Sequence, residues 1–172
     1  MSSHVKWFVL GIVITLVALA GGGYLFVKAG GVSMETTAAP LPLEKTVAGL
    51  ALRASLGHAA DLKDALPFND DTMLSGARIF KQDCAVCHGL PGQPPTLIPK
   101  GMFPPPPQLF EKQDMVTDDP EGETFWKATH GIRLSGMPGF GSTLSDTERW
   151  QVTALLAHAD KLSPAVQAEL TH

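Results

Sequence analysis

Residues 84–88 read Cys84-Ala85-Val86-Cys87-His88, and the rest of the chain is organised around this stretch. C-x-x-C-H is the attachment pattern of c-type haem. The two thiols add to the two vinyl groups of haem, whose separation suits a spacing of three residues in a helical turn. The imidazole of His88 is then placed beneath the iron as the proximal axial ligand. The motif therefore predicts one covalently attached haem c, held by Cys84, Cys87 and His88.

Three other interpretations of the C-x-x-C pair compete with haem attachment. A structural zinc site needs two further Cys or His ligands at paired spacing, and the chain has no third cysteine. A thioredoxin-like redox pair belongs in a βαβ setting, which the flanking sequence does not offer. A chance match in an unrelated domain is the third alternative. The flanking motifs described below favour haem.

Composition excludes one broad class of function. The chain has 172 residues and a formal net charge of −4, which argues against a nucleic-acid binder. Its length suits one domain and an appendage. Both cysteines belong to the haem motif, so the chain has no thiol left for a structural disulfide.

The appendage is an N-terminal apolar stretch. Residues 7–27 carry no charged side chain and are flanked by Lys6 and Lys28. A helix of 21 residues is about 30 Å long, which matches the hydrocarbon core of a bilayer. We therefore expect residues 1–28 to form a single transmembrane signal anchor.

A cleaved signal peptide is the alternative interpretation of this stretch. Ala18-Leu19-Ala20 has the A-x-A form of a cleavage site. Cleavage there would leave the apolar residues 24–27 as a stub near the new N-terminus, and we therefore favour an uncleaved anchor.

Residues 29–68 are expected to form a linker that contains an amphipathic helix. Residues 28–42 are rich in Gly, Ser, Thr, Ala and Pro. Leu43, Val47, Leu50 and Ala54 then recur at helical spacing. We expect this helix to lie on the following domain or on the membrane surface.

The third segment, residues 69–172, is predicted to be the haem domain. Asn69 begins an N-cap cluster, and the helix that follows leads into the haem motif. Gly76 in that helix suggests a close backbone crossing with a helix that begins at Ser145, where S-x-x-E has the form of a capping box. Such a crossing would bring Phe80 and Trp150 into contact. A further helix is expected between Asp119-Pro120 and Gly131, as its N-cap, first residue and end.

Residues 70–162 resemble the class I c-type cytochromes. The matching motifs are Gly-x-x-x-Phe-x-x-x-Cys-x-x-Cys-His at 76–88, Gly-Met-Pro-Gly-Phe at 136–140 and Leu-Ser-Asp at 144–146. The resemblance implies an all-α, class I cytochrome c-like domain around one covalently bound haem. In bacteria such haem attachment takes place outside the cytoplasmic membrane. The expected location is thus the cytoplasmic membrane, with a single pass and the haem domain in the periplasm.

The resemblance also implies the second axial ligand of the iron. In this family it is the methionine before the last helix, and that residue here is Met137. Gly136 and Gly139 permit close backbone approach, while Pro138 restricts Met137 to extended conformations. The metal ligands are therefore expected to be His88 and Met137.

Other residues could in principle take the sixth position. Met102 is the nearest rival, although it lies 14 residues after His88 and leads into four prolines. Met73 and Met115 lack the glycine and proline frame of Met137. His130 would make a bis-histidine site, but it is expected at the end of a helix and near the surface.

Residues 90–109 contain eight prolines and are expected to wrap as an extended loop. In the resembling family a proline carbonyl in this loop accepts the proton of the proximal imidazole. The sequence does not single out which proline does so. Pro104–Pro107 could alternatively serve as a ligand for another protein's proline-binding domain.

Acidic residues are concentrated between positions 111 and 123. Most charge runs are solvated faces, and the functional alternative is a surface that steers a basic redox partner. The members of the run are Glu111, Asp114, Asp118, Asp119, Glu121 and Glu123.

The predicted function is one-electron transfer by a membrane-tethered periplasmic monohaem cytochrome c. With both axial positions filled, we expect no small-molecule substrate and no enzymatic activity of the chain alone. Its partners would be redox proteins, either a membrane oxidoreductase or a soluble carrier. One alternative is a haem subunit of a larger membrane oxidoreductase complex. Another is a haem-based gas sensor or peroxidase, which would need a labile or absent sixth ligand.

Overall fold

All regular elements in a computed structural model, which describes residues 3–63 and 66–171, are helical. This finding confirms the predicted all-α class. Single 3₁₀ turns lie at Ala59–Asp61 and Pro99–Gly101, and a π-helical turn, Phe80–Cys84, joins α3 to α4. The helices are α1 (Ser3–Lys28), α2 (Glu44–Leu56), α3 (Asp70–Ile79), α4 (Ala85–His88), α5 (Glu121–His130), α6 (Asp146–Ala157) and α7 (Pro164–Thr171).

Contacts divide the chain into two compact units, with the boundary in the sequence between Pro42 and Leu43. The first unit contains α1, a helix of 26 residues with a mean hydropathy of 2.2 over its most apolar window and no buried residue. Its length of about 39 Å is sufficient to cross a bilayer. A signal sequence has the same properties, so both interpretations of this segment stay open.

The second unit is built on the crossing of α3 and α6. A Cβ atom at Gly76 would overlap the backbone carbonyl of Gln151, so the two helices approach as closely as the predicted crossing requires. Phe80 and Leu155 are fully buried near this crossing. The short helix α7, which the sequence motifs do not indicate, also packs on α3 and buries Leu170 completely.

The aromatic contacts differ from the predicted pair of Phe80 and Trp150. Phe80 meets Phe110 edge-on, with 5.2 Å between the ring centroids. Trp150 instead stacks on Phe125 of α5, with 4.1 Å between the centroids and 12° between the ring planes. Trp150 therefore fixes α5 against α6, while Phe80 takes its aromatic neighbour from the residue that follows the proline-rich loop.

The helix ends follow the predicted capping residues, with one exception. The side chain of Asn69 accepts a hydrogen bond from the backbone N–H of Thr72 at 2.9 Å, and Ser145 forms the predicted capping box with Glu148. The predicted start of α5 is wrong by one residue, because Pro120 has an extended ψ of 125° and acts as the N-cap.

The segment before the haem domain is partly built into it. Residues 59–62 pack against α5, where a Cβ atom at Gly122 would lie 2.9 Å from the Cβ of Leu62. In contrast, the predicted apolar stripe of α2 is open to solvent, since Val47 and Leu50 are 61% and 59% exposed.

Candidate haem site

The haem motif lies on one continuous helical stretch that runs from α3 through the π-helical turn into α4. The wider π turn changes the rotation of α4 relative to α3, and such turns are frequent at functional sites. Cys84 ends the π-helical turn and Cys87 lies in α4, and both are half-buried free thiols. Their placement suits two thioether bonds to one planar group.

The ring of His88 is oriented by a backbone carbonyl. Its Nδ1 lies 2.8 Å from the carbonyl oxygen of Pro107. A carbonyl can only accept a hydrogen bond, so Nδ1 carries the proton and Nε2 keeps its lone pair for a metal. Among the eight prolines of the loop, the structure thus identifies Pro107 as the partner of the imidazole.

The protonation state of His88 also suits a ligand. Burial lowers the pKa of His88, and the hydrogen bond to Pro107 opposes this shift in part. A lowered pKa favours the neutral imidazole, which is the form that binds a metal.

A glutamine holds the proline-rich loop against the haem motif. The side chain Nε2 of Gln108 donates to the carbonyl oxygens of Cys87 at 3.0 Å and Pro106 at 3.3 Å. The backbone N–H of Leu109 donates to the carbonyl oxygen of His88 at 3.2 Å. Gln108 is not among the residues predicted from the sequence, although its place directly after four prolines is a signal, because a loop of carbonyls needs a donor.

Asp114 has a different environment from the one expected of a solvated acidic run. It is half-buried, and its carboxylate accepts a hydrogen bond from the backbone N–H of Gln108 at 2.9 Å. This residue is therefore part of the support of the haem motif.

The raised pKa of the Cys84 thiol argues against a redox-active or nucleophilic cysteine pair. Burial, followed by the charges of Asp83 and Cys87, raises the pKa of the Cys84 thiol to about 12. Reactive cysteines have a lowered thiol pKa, which favours the thiolate. Across the described residues, moreover, no three His, Cys, Asp or Glu side chains are grouped closely enough to hold a metal ion, as the zinc alternative requires.

Met137 lies in the loop between α5 and α6 and is half-buried. The loop is fastened to the last turn of α5, where Phe140 N–H donates to Ala128 O at 2.9 Å and Gly141 N–H to Thr129 O at 3.0 Å. Carbonyls in the last turn of a helix lack an intrahelical donor, so the loop supplies donors that α5 needs.

Two glycines permit the close packing of this loop. Gly131 has a φ of +67°, and a Cβ atom there would lie 2.6 Å from the carbonyl oxygen of Met137. A Cβ atom at Gly139 would lie 2.8 Å from the carbonyl carbon of His130. The backbone around Met137 is thus shaped by contacts that no larger residue allows.

The rival ligands occupy distinct positions. Met102 lies beside the Met137 loop, where a Cβ atom at Gly136 would lie 2.8 Å from its methyl carbon. Met73 is 4% exposed and belongs to the core, while His130 is exposed at the end of α5. The pairing of His88 with Met137 on one iron stays a prediction.

Comparisons with known proteins bear on the family of this chain. Residues 71–156, which are 86 of the 172 residues, match the family model described as cytochrome c oxidase, cbb3-type, subunit III. A solved chain of the Kuenenia stuttgartiensis reducing HAO-like protein complex is similar with a TM-score of 0.47 and 20% sequence identity, covering 74% of this chain and 68% of that chain. No curated protein matches the sequence significantly. The family match confirms the resemblance to c-type cytochromes.

Proposed function

Since the chain belongs to the cytochrome c family described as subunit III of cbb3-type cytochrome c oxidase, we propose that it transfers single electrons through one haem c. Cys84 and Cys87 would hold the haem covalently, and it supplies a one-electron iron couple when bound. The observation that carries this proposal is the 2.8 Å bond between His88 Nδ1 and Pro107 O, because it leaves Nε2 available for iron.

The chain's own residues perform three tasks in this proposal. The two cysteines would hold the haem covalently, and His88 Nε2 and the thioether of Met137 would bind its iron. Thioether ligation favours ferrous iron and raises the reduction potential. If His88 and Met137 both bound the iron, the chain would bind no substrate there, and we propose that it is an electron carrier and not an enzyme.

Covalent attachment is tested with the full-length protein expressed together with a haem c maturation system. We expect haem staining of the protein band after denaturing electrophoresis, and loss of that stain in the double variant Cys84→Ser and Cys87→Ser. Substitution of the exposed His58 by Ala serves as the control and should retain the stain. An unstained wild-type band would reject the proposal.

Carbon monoxide tests separately whether the iron has a free coordination position. A reduced His/Met site has no free position, so we expect no spectral change on addition of the gas at neutral pH. Rapid binding would favour the gas-sensor or peroxidase alternative.

We propose that α1 anchors the protein in the cytoplasmic membrane, with the haem domain in the periplasm. The support is its 26-residue length and its mean hydropathy of 2.2. Full-length protein should stay in the membrane fraction through high-salt and alkaline washes. Deletion of residues 1–28 behind a cleavable export signal should release a soluble haem protein. A natural mature N-terminus at Gly21 would show that the segment is a signal peptide.

A second candidate function is that of the haem-bearing subunit of a larger membrane oxidoreductase. The family description, which names a subunit of an oxidase, favours it. Extraction in a mild detergent separates the two candidates, because a permanent subunit should copurify with integral membrane partners in fixed ratio. Recovery of the chain alone, with full haem content, would favour a free carrier.

A further inference from the structure

One peptide group connects the proximal imidazole to a carboxylate. The carbonyl oxygen of Pro107 accepts a hydrogen bond from Nδ1 of His88 at 2.8 Å. The N–H of the same peptide group, which belongs to Gln108, donates to Oδ2 of Asp114 at 2.9 Å. The chain thus contains a continuous series of bonds from His88 through one amide to Asp114.

The amide in this series can pass on the effect of a nearby charge, because the amide group is polarisable. Its oxygen, carbon and nitrogen share electrons by resonance, so a negative charge at the N–H increases electron density on the oxygen. Hydrogen bonds in such chains strengthen one another by about 10–30% per bond. A hydrogen bond to an ionised group is also stronger than one between neutral groups. The carboxylate of Asp114 should therefore make Pro107 O a better acceptor for the His88 proton.

The surroundings preserve this effect. Asp114 is half-buried, so water screens its charge less than it screens an exposed carboxylate. The side chain of Gln108 bonds to Cys87 O at 3.0 Å and keeps the amide in place beside the haem motif.

We propose that Asp114 is a positioning residue that tunes the haem iron through the Pro107–Gln108 peptide group. A stronger acceptor at Pro107 O makes His88 a more basic ligand, and a more basic ligand stabilises ferric iron. Asp114 thereby lowers the reduction potential. This inference rests on the proposed function, since it requires His88 to bind the iron.

The test compares Asp114→Asn and Asp114→Ala with Glu111→Gln in the full-length haem protein. Asparagine keeps an acceptor without the charge, whereas alanine removes both. Glu111 lies three residues earlier in the same loop and is exposed, so its neutralisation measures the through-space effect of one lost charge. Two quantities are measured: the reduction potential, and the chemical shift of the His88 Nδ1 proton in the reduced protein.

We expect both Asp114 variants to raise the reduced-to-oxidised ratio at a fixed ambient potential, by about threefold to tenfold for Asp114→Ala, where tenfold equals 59 mV for one electron. The His88 Nδ1 proton should move upfield in the same order, with Asp114→Asn between wild type and Asp114→Ala. Glu111→Gln should give a smaller potential change and leave the proton resonance in place.

The inference is overturned if the Asp114 variants match Glu111→Gln in potential and leave the Nδ1 resonance unmoved. Should Asp114→Ala fail to fold, Asp114→Asn decides by the same two measurements. A wild-type protein without covalent haem, or an unchanged iron spectrum in His88→Ala, would instead reject the proposed function itself.

Discussion

The proximal side of the candidate site (residues 84–109 with Asp114) and its distal side (residues 131–141) hold their proposed ligands, His88 and Met137, in different ways. The proximal ligand lies on a helix, and its ring is aligned by the 2.8 Å bond to Pro107. The distal ligand lies on a loop whose ordering comes from close packing against the end of α5. A thioether is only a weak hydrogen-bond acceptor, so no strong directional bond can orient Met137. A hydrogen bond can therefore orient an imidazole, whereas the packing of the surrounding loop must orient a thioether.

The distal loop depends on α6 as well as on α5. Trp150 of α6 stacks on Phe125 of α5, and the buried Arg149 lies 5.3 Å from the centroid of the same ring. One guanidinium nitrogen of Arg149 also lies 3.0 Å from where a Cβ atom at Gly141 would be. Because its support is indirect and its surface partly exposed, we expect the distal side to open before the proximal side.

The largest effect is expected from removal of the distal ligand. Met137→Ala should abolish the weak near-red charge-transfer band that the iron–thioether bond shows in class I cytochromes. It should also lower the reduction potential, since the thioether favours ferrous iron. Covalent haem should be retained, because attachment depends on the proximal side. Absorption spectroscopy of the oxidised protein and a redox titration measure both effects.

Met102→Ala is the matched control for that substitution, because Met102 lies beside the same loop. It should keep the band. The opposite pattern, in which Met102→Ala loses the band and Met137→Ala keeps it, would show that the distal ligand is assigned to the wrong methionine.

The next effect concerns the packing that shapes the distal loop. Gly131 and Gly92 both have a φ of +67°, but only Gly131 faces close neighbours. Alanine at a positive φ costs about 1–3 kcal/mol at either site, and the ψ of −176° at Gly131 lies in a region that glycine alone adopts readily. At Gly131 overpacking against the Met137 carbonyl adds about 1–3 kcal/mol. Denaturant unfolding monitored by helix content measures the difference in the free energy of unfolding.

The iron–thioether band gives a second way to distinguish the two glycine variants. Gly131→Ala should weaken the band at neutral pH, whereas Gly92→Ala, on the proximal side, should leave it intact. Equal losses of stability with intact bands in both variants would mean that packing does not position Met137.

The smallest effect is expected on the rate of association with a redox partner, from charged residues near the proximal and distal sides. The acidic run follows the proximal loop, while the distal loop carries the exposed Arg133. If the run steers a basic redox partner, neutralising it should slow association by about tenfold at low ionic strength. The rate should also fall as salt screens the charges over a Debye length of about 8 Å. Stopped-flow electron transfer at several ionic strengths measures this dependence.

The ion pairs of Lys127 indicate which acidic residues should matter most for association. Lys127 lies 3.7 Å from Asp119 and 3.5 Å from Glu123, so it offsets these two charges in part. Asp118→Asn with Glu121→Gln should therefore slow association more than Asp119→Asn with Glu123→Gln. Arg133→Gln should accelerate it slightly. Rates insensitive to salt and to all of these variants would show that the run is a solvated face.

The sequence by itself determined the parts of this protein that depend on local chemistry. The C-x-x-C-H motif indicates the haem ligands on one helical turn, and a run of 21 uncharged residues indicates an apolar helix. Capping by Asn69 and Ser145 follows from side chains that bond within three residues. The crossing at Gly76 was also predictable, since a glycine inside a helix is costly unless a close neighbour requires it.

Only the tertiary structure decided the features that depend on contacts between distant segments. Any of the eight prolines could have accepted the hydrogen bond of the imidazole, and the path of the loop places the carbonyl of Pro107 there. Asp114 reads as one more acidic residue until the fold places it on the amide of Gln108. Phe80 packs on Phe110 and Trp150 on Phe125, not on each other. The local sequence pattern does not show where α5 and Phe110 lie in the fold, so it could not predict these contacts. Hydrogen bonds and ring contacts act over a few ångströms, so their partners are set by the packing of the whole domain.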